Sequence, residues 1–257
     1  MMEHLPERGG ERYAAVRQYS LAQILAVWAA AAVPMGVLAW IIAPWLRDQL
    51  GGDEPLAQAL LICVTAGLVW QFVLVLILTR RELGGLQWSR VREALWLWAP
   101  RDPRTGRVGG RVWWWVLPFV VLFALEEALS IPGPSVRDFG EFLDSDRGEE
   151  FFRGAWGWFA VVVVLVIFNT VLGEELLFRG LLLPRMRGVF GSGDFVANGA
   201  LFAVYHLHTP WVIPTTLVDI FALAYPSRRF QSAWMGIIVH SVQSVFVLAV
   251  VLGLVLK

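Results

Sequence analysis

The chain has 257 residues, 57% of them hydrophobic and only 16% charged; Lys+Arg and Asp+Glu both number 21, so the formal net charge is zero. Soluble domains carry about 25% charged residues, so this composition excludes an ordinary water-soluble domain, and the balanced charge leaves no footprint for a nucleic-acid partner. Cys63 stands alone, which excludes a disulfide framework and a cysteine-based metal site. The expected fold class is all-α: a single-domain polytopic transmembrane helix bundle of about seven spans.

Residues 1–20 are polar and charged and read as a disordered or surface-lying head. The apolar run 21–46 is too long for a signal-peptide core and lacks a cleavage signature. It predicts the first span, with Pro34 as a kink. A Gly-Gly-Asp-Glu-Pro turn at 51–55 precedes the second span, 56–79. Residues 80–111 hold eight arginines, and Trp88, Val91, Leu95 and Trp98 there share one helical face. That pattern predicts either a basic amphipathic helix lying in the interface plane or a helix in a cytosolic loop. The third span, 112–130, carries Glu126 and Glu127 near its far end, read as structural or pore-mouth residues. An acidic loop over 131–153 leads to the fourth span, 154–184. The fifth is expected over 195–208. A stretch over 211–223, holding Pro214 and Asp219, reads as a short or re-entrant sixth. A basic turn at 225–231 precedes the last span, which begins at Ser232. With the N-terminus inside, fifteen Arg/Lys fall on the inner side and five on the outer, which by the positive-inside rule predicts a cytosolic N-terminus in the plasma (cytoplasmic) membrane. The domain division expected is 1–20, 21–153 and a functional unit over 154–257.

The fourth span carries Glu174, Glu175 and Arg179 inside hydrocarbon. A charge at the bilayer centre costs roughly 2.5–3.5 kcal/mol on insertion scales, so intramembrane ionisable residues are functional candidates by default. Glu175 and Arg179 are at i,i+4 with the acid first, the favourable order for an ion pair. Glu174 is rotated by about 100° from Glu175 and faces another wall. A purely structural Glu175–Arg179 pair, with Glu174 a bystander, is the bland alternative. Two further polar clusters follow, Phe202-Ala203-Val204-Tyr205-His206-Leu207-His208 and His240-Ser241-Val242-Gln243-Ser244. Counting at 1.5 Å per residue from the inner ends of their helices puts Glu174, His206 and His240 all roughly 12–17 Å deep. One carboxylate and two imidazoles suit a Zn²⁺ or other divalent metal with an open position. They equally suit a metal-free carboxylate base with imidazoles donating to an oxyanion. Both chemistries are hydrolytic.

The three motifs Glu174-Glu175-x-x-x-Arg179, Phe202-x-x-x-His206 and His240-x-x-x-Ser244 resemble, in order and spacing, those of the CAAX-processing and bacteriocin-processing (CPBP, or Abi) intramembrane proteases. That family includes the type II CAAX prenyl endopeptidases. The resemblance covers about residues 154–250. It implies that Glu174 activates the attacking water, that His206 and His240 hold water and oxyanion, and that Arg179 supports Glu175. Ser244 departs from the Asn or Asp of the family pattern and offers a shorter hydroxyl donor. The function implied is an intramembrane endopeptidase opening towards the cytosol and cutting a membrane-associated or C-terminal protein substrate. A catalytically silent scaffold or immunity protein is the alternative from another class. A transporter, pointed to only by Glu126, Glu127 and Asp219, is a third.

Overall fold

The computed structural model describes residues 16–129, 131–134 and 136–257, without the side chain of residue 127. Most of the expected polar head, and the side chain of Glu127, therefore lie outside the described residues. Among the described residues the architecture is helical throughout, with no strand.

Four helices are long and apolar enough to cross a membrane: α1 (Leu21–Arg47), α2 (Pro55–Leu83), α7 (Trp156–Arg185) and α10 (Ala233–Val255). The other three expected spans are shorter or broken. Between α2 and α7 lie α3 (Trp88–Ala94), α4 (Val116–Ala128), α5 (Phe139–Leu143) and α6 (Asp146–Phe152), and after α7 come α8 (Asp194–Tyr205) and α9 (Tyr225–Arg229). The stretch between α8 and α9 is a chain of short 3-10, α and π turns, in keeping with its Pro214 and with the short sixth element expected there.

Local chemistry explains the boundaries. Ser20 and Gln23 form a reciprocal capping box at the start of α1, satisfying two otherwise orphaned amides. Pro34 has no N–H to offer the Ala30 carbonyl; the Trp70 indole donates to that carbonyl at 2.8 Å instead. Gly84, at φ 70°, closes α2 in the left-handed conformation that glycine adopts without strain.

The arginine-rich segment differs from the expected amphipathic helix. Its helix is only seven residues long, and Val91, Leu95 and Trp96 pack into the protein core while Trp88 is 65% exposed. The chain turns at Trp96, whose φ is 51°, so Trp98 leaves the shared face and lies under the Arg92 guanidinium at 4.2 Å. The Trp96 carbonyl accepts from Ala233 at 2.9 Å. This segment therefore closes one end of the bundle together with Arg185, which bonds Glu82 through two nitrogens at 3.0 Å each. At the opposite end the segment 136–155 is tied down by Arg147–Glu54 at 2.7 Å and Lys257–Glu149 at 2.8 Å.

A candidate active-site cavity in the bundle

Two π-helical turns, Phe168–Gly173 and Leu176–Leu182, flank Glu174 and Glu175. A π turn closes at i,i+5 and is common at functional sites. Here it brings Asn169 onto the face of Glu174. With its amide nitrogen turned to the carboxylate, Asn169 donates to both Glu174 oxygens at 3.1 and 3.2 Å. The Tyr205 hydroxyl accepts from Gln71 at 2.6 Å and hydrogen-bonds Glu174. Glu174 is thus a carboxylate gripped by two neighbours and 2% exposed. Gly173 makes room for the turn, since a Cβ there would lie 2.4 Å from the Phe168 carbonyl oxygen.

Glu175 occupies the other wall. Its Oε2 is 3.4 Å from Arg179 Nε, both side chains being fully buried, and its Oε1 accepts from His240 Nδ1 at 3.2 Å. The Arg179 nitrogens make no hydrogen bond among the described residues. The guanidinium is offset by the Glu175 charge and by stacking on Phe202 at 4.1 Å. Phe202 also meets the rings of His206 (4.9 Å) and His240 (6.2 Å) edge-on. This phenylalanine is therefore the spacer that sets both imidazoles around one point. His206 ends α8: its Nδ1 donates to the Phe202 carbonyl, four residues back, at 3.0 Å.

Glu174, His206, His240, Phe202 and Ser244 line one cavity of about 450 Å³. All three ionisable residues singled out from the sequence are among its lining. Ser244 sits one turn from His240 as expected, but its hydroxyl donates to Thr170 at 3.1 Å, so its hydrogen is already engaged. Sequence reasoning missed Asn169, Tyr205 and the Glu175–His240 contact. The signal for Asn169 was a polar residue five positions before Glu174 in an apolar run, legible only to a reader expecting a π turn. Glu126 and Asp219, assigned no part in hydrolysis, line the same cavity.

The cavity runs from buried Glu174 to the exposed residues Gly140 and Asp144, so its open lip is at the 131–155 end. The sequence reading placed the opening at the arginine-rich end. α8 stops at Tyr205, 12 residues or about 18 Å from its start, and His206 just beyond it lines the cavity together with residues of the 138–144 segment.

Among the described residues no three His, Cys, Asp or Glu side chains come close enough together to hold a metal ion. The residues as placed therefore do not assemble the Glu174–His206–His240 metal set considered from sequence, whereas direct water activation needs only the side chains present.

Packing at the Glu175–Arg179 pair is tight. A Cβ on Gly236 would lie 2.4 Å from Glu175 Oε2, 2.8 Å from Ser227 Oγ and 3.1 Å from Arg179 Cγ. Gly236→Ala is expected to destabilise the protein by about 1–3 kcal/mol through overpacking and to displace Glu175 from His240. A thermal melt in detergent reads this; a midpoint equal to wild type would contradict it.

Residues 156–246 match the family model described as "Type II CAAX prenyl endopeptidase Rce1-like". The match contains all three motifs and bears out the resemblance to the CAAX protease family. No curated protein and no solved structure matches the chain.

Proposed function

We propose that this integral membrane protein is an intramembrane endopeptidase that activates water with Glu174. The observation carrying the reading is the arrangement of Glu174, His206 and His240 around one buried cavity, within a stretch similar to a peptidase family. The tautomers follow from obligate acceptors. A backbone carbonyl only accepts, so His206 carries its hydrogen on Nδ1, and its Nε2 lone pair is left to take a hydrogen bond from water. His240 directs Nδ1–H to Glu175; protonated at Nε2 as well, it becomes an imidazolium that Glu175 stabilises and that donates to the oxyanion.

In this mechanism Glu174 removes one proton from the water as its oxygen attacks the peptide carbonyl. The Glu174 carboxyl then returns that proton to the leaving amine as the C–N bond breaks. Asn169 and Tyr205 hold the carboxylate in place throughout. A silent scaffold has no use for two imidazoles poised on the same void as a restrained carboxylate.

Arginine placement favours a cytosolic location for the end formed by residues 16–20, 80–115 and 225–232. On that assignment the N-terminal end lies in the cytosol and the cavity lip faces the other side of the membrane. The substrate is then a membrane-associated peptide segment presented from that side.

The test is cleavage of a quenched-fluorescent peptide library by purified protein in detergent, before and after chelator treatment. Cleavage is expected, with the rate unchanged by the chelator. Loss of activity restored by Zn²⁺ would overturn the metal-free mechanism, and no cleavage by any preparation would overturn the peptidase reading.

A further inference from the structure

We infer that Glu126 and Asp219 form a second subsite in this cavity, one that takes a basic side chain of the peptide substrate. The inference rests on the peptidase reading only for the nature of the ligand. Among the described residues, five carboxylates line the cavity, Glu126, Asp138, Asp144, Glu174 and Asp219, and no Lys or Arg does. Asp138 is already engaged as the cap of α5 and by the Trp211 indole at 2.6 Å. Glu174 is engaged by Asn169 and Tyr205.

Glu126, half-buried, and Asp219 differ. Glu126 accepts from Thr216 at 3.0 Å and its carboxyl adjoins that of Asp219. Asp219 is 2% exposed, and its Oδ1 has no hydrogen-bond partner among the described residues. A buried acceptor left without a donor pays its desolvation cost with no return. Arg179 acts on Asp219 electrostatically but is paired with Glu175 and stacked on Phe202. An incoming ammonium brings three donors and a guanidinium five, enough to satisfy Asp219 Oδ1 and to reach Glu126 as well.

The position suits a substrate side chain. Phe123 meets the His240 ring at 5.5 Å, and Glu126 follows Phe123 by three residues on the same face of α4. The subsite is therefore one helical turn from the proposed reaction centre, within the reach of a residue next to the cleaved bond.

The test uses the inert Glu174→Gln protein in detergent and four fluorescent decapeptides. Each alternates leucine and alanine around a central Arg, Lys, norleucine or Glu. The Arg and Lys peptides are expected to bind at least about tenfold more tightly than the norleucine peptide. Adding Asp219→Asn, or separately Glu126→Gln, should abolish that difference and leave norleucine affinity unchanged. Two variants are used so that a folding defect in one, read by its melt, leaves the other to decide. Equal affinities for all four peptides, including no binding of any, would overturn the subsite, as would a charge preference surviving in both variants. Charge-selective binding without cleavage by wild type would instead sink the peptidase reading and leave the subsite standing.

Discussion

Glu174→Gln is expected to lower peptide cleavage by about 10²–10⁴, the range supplied by a positioned general base, while the protein stays folded. The substitution keeps the shape of a side chain that is 2% exposed and removes its charge. Removing a buried charge relieves desolvation, so the thermal midpoint should remain near wild type or rise. Asn169 and Tyr205 both donate towards this carboxylate, and the amide retains an oxygen for one of them. The paired measurement is a detergent melt and a cleavage assay on the same preparation. A folded variant cleaving at the wild-type rate would remove Glu174 from the chemistry.

Glu175→Gln should fail differently. Arg179 is fully buried, makes no hydrogen bond among the described residues, and has Glu175 as its ion-pair partner. Breaking a buried pair from one side costs about 3–5 kcal/mol, because the remaining charge is left uncompensated. Glu175→Gln is therefore expected to lower stability and yield by that order. It should also lower activity, since an amide no longer stabilises the His240 imidazolium through Nδ1. Arg179→Ala should be similarly unstable through the lost ion pair and lost stacking on Phe202, yet it leaves the Glu175–His240 contact in place. Residual activity per folded molecule should then be higher in Arg179→Ala than in Glu175→Gln. A stable, inactive Glu175→Gln beside an unfolded Glu174→Gln would reverse the two assignments.

How much of this was legible beforehand follows from the range of each interaction. The Glu175–Arg179 pair was readable because it is local: four residues on one helix meet whatever the rest of the chain does. The convergence of Glu174, His206 and His240 was readable from depth alone, since helices of known rise cross a slab of known thickness. The length of α8 was not. Its apolar pattern runs on to His208, but the helix ends where His206 turns back to bond the Phe202 carbonyl. For the arginine-rich helix the interfacial and loop readings stayed open together for a similar reason. Val91 and Leu95 of its apolar face pack into the protein core while Trp88 stays exposed, and periodicity cannot say what covers each residue.

By itself the sequence determined the helical class, the membrane setting, the identity of the buried ionisable residues and the ion pair on the fourth long run. These depend on composition and on contacts within a turn or two. Only the tertiary structure decided that Glu175 serves both Arg179 and His240, that Asn169 and Tyr205 grip Glu174, and that Glu126 and Asp219 share the cavity with them. Each joins residues from different helices, or residues a π turn apart on one. The physical reason is common to all: a buried polar group takes whichever partner the packing brings within about 3 Å, and packing between helices is set by the whole bundle.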